Sequence, residues 1–165
     1  GMTILDSMKT AGYVISEPYY DNTQVLLVKS DSGLKTSADL AGKTVAVQLG
    51  TSGQALLEGD LADLKATFKD VVICNSFLSC FTELGGGSVD AVFVDYPVAA
   101  AYAAKNEGYT IINENLGAEQ YGIAFRSGDQ ALCDKIEEIL HEMKQDGKLA
   151  EISTTWFGSD ITTIE

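Results

Sequence analysis

Short apolar runs of strand length alternate with helix-length segments over most of this chain, and that alternation constrains its fold more than any other feature. The runs fall at 24–29, 45–49, 71–74, 90–94, 109–112 and 121–125. In the first of them Val25, Leu26, Leu27 and Val28 are consecutively apolar, the pattern of a strand covered on both faces. The third is followed by Phe77, Leu78, Phe81 and Leu84 on one helical stripe that stops at Gly85-Gly86-Gly87, a run that favours no regular element. The fourth leads into an alanine-rich segment, 96–105, with Pro97 in its first turn, where a missing N–H costs nothing. Strands separated by helices of about ten residues specify an α/β fold with a mostly parallel, doubly wound sheet, whose ligands sit at the carboxyl ends of the strands.

Two of those strand ends carry chemistry. In Gly42-Lys43-Thr44-Val45-Ala46-Val47-Gln48-Leu49-Gly50-Thr51-Ser52-Gly53, the residues Val45, Val47 and Leu49 alternate with smaller or polar ones and stop at Gly50, so a strand gives way to a polar loop and a new helix. The N–H groups of a first helical turn, with the positive end of the helix dipole, can hold a carboxylate without any cationic side chain. The second segment, Val89-Asp90-Ala91-Val92-Phe93-Val94-Asp95, ends on a carboxylate. On their own, Thr51 and Ser52 read as a helix N-cap, and Asp95 as a capping residue before the Pro97 helix. Gln48 reads either as a solvent-facing strand end or as a polar group beside a ligand.

These residues resemble the second-lobe signature of the family 3 solute-binding proteins, the polar amino-acid receptors of bacterial ABC importers. Gly1-Met2-Thr3-Ile4, Glu17-Pro18-Tyr19-Tyr20, Asp39-Leu40-Ala41-Gly42-Lys43, Gln120-Tyr121-Gly122-Ile123-Ala124-Phe125 and Trp156-Phe157-Gly158 follow in the family's order. Each is weak alone; the ordered set is specific and spans nearly the whole chain. The resemblance implies a periplasmic-binding-protein-like (type II) fold with one complete lobe over 23–118. Residues 1–22 would supply a remnant of the other lobe and a first hinge crossing, and 119–165 a second crossing and that lobe's C-terminal helices. It also implies a ligand-binding set of Gln48, Gly50, Thr51, Ser52 and Asp95, with Thr51 and Ser52 on the ligand carboxylate and Asp95 on its ammonium. One departure stands out: aligned without gaps from Gly1, the position of the family's carboxylate-binding arginine holds Met8, a neutral thioether that cannot form arginine's bidentate pair.

Composition narrows the partners. A formal net charge of −13, with Arg126 the single arginine, argues against nucleic acid and anionic membrane surfaces. No apolar run approaches the roughly 20 residues that span a bilayer, and the N-terminus lacks a basic region followed by an apolar one, so the chain is expected to be soluble as given, with the signal segment of a secreted precursor not present in it. Cys74, Cys80 and Cys133 have neither zinc nor CxxC spacing. They read as small buried filler, with a Cys74–Cys80 disulfide open on spacing alone. His141 has no motif partner and reads as a surface residue. No Ser-His-Asp set, metal cluster or P-loop lysine is present.

The expected function is therefore that of an extracytoplasmic binding component, periplasmic or a cell-surface lipoprotein. It would capture a polar α-amino acid by hinge closure and deliver it to an ABC permease, without cofactor, metal or catalysis. A truncated or degenerate assembly or sensor module of the same fold is the alternative. An enzyme resembling the dehydratases built on this scaffold is a weaker one, because Asp95 is the only spare carboxylate at a strand end. The stripe Leu132, Ile136, Ile139, Leu140 and Met143, continued by Leu149, Ile152 and Trp156, needs a partner surface, and a segment-exchanged homodimer would provide one.

Overall fold

The computed structural model describes residues 2–165; Gly1, the first residue of the opening landmark, lies outside them. The chain divides into two compact units, Gly1–Asn22 with Glu119–Glu165, and Thr23–Ala118. In chain order the elements are β1 (Met2–Thr3), α1 (Asp6–Thr10), β2 (Val14–Ile15), β3 (Tyr20–Lys29) and β4 (Thr44–Gln48). There follow α2 (Ser52–Glu58), α3 (Ala62–Thr67), β5 (Asp70–Cys74), α4 (Phe77–Gly86), β6 (Ala91–Asp95), α5 (Tyr96–Lys105) and β7 (Tyr109–Ile112). The last are β8 (Ala118–Gly122), β9 (Ala124–Phe125), α6 (Gln130–Gln145) and α7 (Lys148–Phe157).

The unit Thr23–Ala118 is a three-layer α/β domain. Its sheet runs β7-β3-β6-β4-β5, and the period-two pleat sorts each strand's side chains between two helical layers. Val25, Leu27, Val92 and Val94 pack with Phe81 and Leu84 of α4 and Ala99 of α5. Leu26, Val28, Val45, Val47 and Phe93 pack on the opposite face with Leu40 and Leu57. Because the sheet is covered twice, Val25 to Val28 are all at 0% exposure, as the unbroken apolar run requires.

The parallel core is β5-β4-β6, with Val45 opposite both Val71 and Ala91. β3 departs from the parallel expectation, running antiparallel to both β6 and β7. Its connection to β4 carries only a 3-10 turn over Ser37–Leu40, so no crossover helix brings the chain back to the same direction. The α/β sheet is thus mixed. The strand expected at 121–125 is likewise two pieces, because β8 pairs with β1 (Met2↔Gly122) whereas β9 pairs with β2 (Ile15↔Ala124).

The unit formed by the chain termini holds β1, β2, β9, α1, α6 and α7. The apolar stripe read on α6 is covered only in part: Ile136, Leu140 and Met143 are half-buried on the same side as Cys133, at 1% exposure, while Leu132 and Ile139 remain at 53% and 40%. Glu137, one turn beyond Cys133, accepts a hydrogen bond from the Glu17 N–H at 2.7 Å. His141 is half exposed but not without partners. Its Nε2 lies 2.6 Å from Glu17 Oε1, and its Nδ1 3.0 Å from the Glu165 carbonyl oxygen. Met8 sits within α1 and its N–H donates to the Leu5 carbonyl.

All three cysteines are free and buried, which closes the disulfide question that spacing left open. Burial, and then the hydrogen bond with the Cys74 side chain, pushes the Cys80 thiol up to about 12. Burial, reinforced by the Glu137 carboxylate, also raises Cys133. Since the thiolate is the reactive form, Ellman's reagent at pH 8 is expected to leave the native thiols unmodified and to titrate all of them only after denaturation. Rapid labelling of the folded protein would contradict this.

Candidate functional site

The turn after β4 is held by its own side chains. Gly50 adopts a left-handed φ of 72°, a conformation that glycine takes without Cβ strain. Thr51 is the N-cap of α2: its Oγ1 accepts from the Gln54 N–H at 3.3 Å and donates to the Gln48 carbonyl at 2.8 Å. Gln54 folds back so that its Oε1 accepts the Gly50 N–H at 2.8 Å. Gly50 therefore shapes the turn while its own donor is spent inside it. The N–H groups of Ser52 and Gly53 lie in the first turn, where helix geometry provides no intrahelical acceptor.

Asp95 is the last residue of β6 and the residue preceding α5, yet its side chain makes no capping hydrogen bond there. Instead Oδ1 accepts from the Gln24 Nε2 at 2.7 Å, and the carboxylate is buried to 9% exposure. The capping alternative for Asp95 is thereby removed. Gln48 stands at the end of β4, half-buried, paired with Cys74 across β5.

β4 and β6 are adjacent and parallel, with Val47 opposite Phe93. Their carboxyl ends consequently lie at one edge of the sheet, and the Thr51 turn and Asp95 lie at that same edge. Hydrogen-bond donors at a helix start beside a buried acceptor-only carboxylate form a pair of opposite polarity, suited chemically to a zwitterion. Two open depressions elsewhere in this unit, of about 370 and 340 Å³, are lined by residues such as Glu58, Phe68 and Ile73, or Lys29, Glu107 and Tyr109. None of the five candidate residues lines either. Among the described residues no group of three or more His, Cys, Asp or Glu could hold a metal ion.

Sequence reading missed two glutamines. Gln54 locks the turn, and Gln24, at 1% exposure, bonds Asp95. A signal for Gln24 was present: an amide at the head of a fully buried apolar strand must find a polar partner. Gly53 is part of the same packing, because a Cβ there would lie 3.0 Å from Gln24 Oε1 and 3.3 Å from the Phe93 ring. Gly53→Ala gains up to about 1 kcal/mol of helix propensity, but overpacking against two buried neighbours costs roughly 1–3 kcal/mol. The expected result is a net loss near 1 kcal/mol in urea denaturation; a more stable variant would show that Gln24 and Phe93 yield freely.

The sequence model of the bacterial extracellular solute-binding proteins, family 3, matches residues 2–159. The ABC transporter arginine-binding protein 1 of Escherichia coli (strain K12) is 32% identical over 145 residues, covering 85% of this chain and 57% of that protein. The L-cystine-binding protein TcyJ of the same strain is 32% identical over 164 residues, covering 98% of this chain and 59% of that protein. This chain thus spans somewhat more than half the length of either curated relative. Among solved structures, an ABC uptake transporter substrate-binding protein from Streptococcus pneumoniae with bound histidine superposes with a TM-score of 0.89 at 30% identity. That match covers 99% of this chain and 68% of the other.

Proposed function

This chain belongs to the bacterial extracellular solute-binding proteins, family 3, and on that premise we propose that it binds a polar α-amino acid for an ABC importer. The observation that carries the reading is the shared sheet edge of the Thr51 turn and the buried Asp95. The ligand carboxylate takes the first-turn donors around Thr51 and Ser52, its ammonium pairs with Asp95, and Gly50 and Gln48 shape the turn beneath. Capture proceeds by hinge closure about the chain crossings near Tyr20 and Gln120. Residues 23–118 form the complete lobe in this reading, flanked by parts of the other lobe at 1–22 and 119–165. Delivery to a membrane permease puts the protein outside the cytoplasm, periplasmic or lipid-anchored, after a signal segment has directed export.

The amino acids named for the similar proteins above, with L-glutamine added as a further polar amino acid, define the test. L-arginine, L-cystine, L-histidine and L-glutamine, titrated by calorimetry and thermal shift, should include at least one that binds. Ligand at a hundred times its Kd should raise stability by about 2.7 kcal/mol. A protein that binds no α-amino acid at millimolar concentration would reject the reading and favour the assembly-module alternative.

The same proposal includes a segment-exchanged homodimer. Ile152, Trp156 and Phe157 of α7 are at 41%, 78% and 51% exposure, and Leu132 and Ile139 of α6 are also open. The C-terminal tail docks through the Thr163 N–H to the Tyr19 carbonyl at 2.9 Å, with Ile164 buried at 2%. An exchanged tail would form those same bonds in a partner copy. Light scattering is expected to report twice the monomer mass at micromolar concentration; a compact monomer would eliminate the exchange.

A further inference from the structure

Gln24 occupies a place where an amide is costly unless it has a specific task. It heads the run Val25 to Val28 on β3, an interior strand of the sheet, and is at 1% exposure. Its backbone is held on one side by two hydrogen bonds, the N–H donating to the Gly117 carbonyl at 2.9 Å and the carbonyl accepting from the Leu116 N–H at 3.1 Å, and on the other it stands in register opposite Asp95 of β6. The side chain is therefore anchored on a backbone with little freedom to shift. From that anchor Nε2 reaches Asp95 Oδ1 at 2.7 Å, while Oε1 lies 3.0 Å from the point where a Cβ on Gly53 would sit. One amide thus touches the carboxylate on β6 and lies directly under the first turn of α2. It is the side chain that spans the two halves of the proposed site.

We propose that Gln24 is a positioning residue of the amino-acid site, holding the Asp95 carboxylate at a fixed orientation and distance from the first turn of α2. The assignment deepens the amino-acid reading above and rests on it. A neutral amide donor is the suitable group for this. It fixes the carboxylate plane through Oδ1 without neutralising the charge that attracts an ammonium, as a lysine or arginine would. A carboxylate has about four acceptor directions, so a bond at Oδ1 is compatible with a ligand N–H on the same group. Gly53 completes the arrangement, since any side chain there would press on Oε1 and tilt the amide. The spacing between ammonium and carboxylate sites, which selects α-amino acids over β- or γ-amino acids, is then set by Gln24.

The test uses the full chain and two readouts. In calorimetry with L-arginine, and with L-histidine, L-glutamine and L-cystine if arginine does not bind, Gln24→Met, nearly equal in volume and without a donor, should bind about ten- to a hundredfold more weakly than the parent. The discriminating comparison is with Asp95→Asn. If Gln24 acts through Asp95, the double variant should bind no more than about twofold worse than Asp95→Asn alone. An additive loss would mean that Gln24 only supports the fold, and would overturn the proposal. Independently of any ligand, the Gln24 side-chain amide protons in a nitrogen-15 NMR spectrum should be protected from exchange and should move in Asp95→Asn. Amide signals that are unaffected by that substitution would refute the positioning role, even should Gln24→Met fail to fold. Absence of binding for every amino acid tested would instead reject the amino-acid reading, with the spectrum still deciding whether Gln24 holds Asp95.

Discussion

Asp95→Ala is expected to abolish most of the affinity for the bound amino acid, a loss of roughly 2–5 kcal/mol, because a ligand ammonium would be left in the site with its charge partner gone. The size of the effect follows from burial. At 9% exposure the carboxylate is shielded from the screening that reduces an exposed ion pair to about 1 kcal/mol or less. Gln24 Nε2, which donates to Asp95 at 2.7 Å, also loses its acceptor, so a stability loss of about 1–3 kcal/mol should accompany the binding defect. Calorimetric titration of the parent and variant with the same amino acid, backed by urea denaturation of both, separates the two effects. Unchanged affinity would take Asp95 out of the site.

Phe93→Ala should produce the largest stability loss of any single truncation in the unit Thr23–Ala118, about 3–5 kcal/mol. The ring is at 0% exposure between β3, β4 and α2, packed with Leu26, Val47 and Leu57. It also lies against the first turn of α2, 3.3 Å from the position of a Cβ on Gly53. Removing the ring opens a cavity directly beneath the turn that carries Thr51 and Ser52. In that background Gly53→Ala should cost less than in the parent, because the ring no longer opposes the new methyl group while Gln24 Oε1 still does, whereas distant pairs would simply add. A loss below about 1 kcal/mol for Phe93→Ala would mean that the layer collapses to fill the space.

Local pattern determined a large share of this protein. The apolar run Val25 to Val28 foretold a strand buried on both faces, and it is. The alternation ending at Gly50 foretold a strand-to-helix turn, and Pro97 the start of a helix; α2 and α5 begin there. Such features are legible because periodicity, backbone freedom at glycine and the missing donor of proline act within a few residues. The landmarks in order sufficed to identify the family, as the match over residues 2–159 shows.

What only the tertiary structure decided involves partners far apart in the chain. Gln24 and Asp95 are separated by 71 positions, and only the antiparallel register of β3 on β6 brings that amide to that carboxylate. The direction of β3 itself was hidden, because a strand's burial pattern is the same whichever way it runs. His141 reads as a lone surface histidine until the fold carries Glu17 and the C-terminal carbonyl to its two nitrogens. On α6 the fold covers part of the apolar stripe, Ile136, Leu140 and Met143, together with Cys133 and Glu137, and leaves Leu132 and Ile139 open. Periodicity reports how apolar a face is; which face is covered depends on the elements that arrive to pack on it.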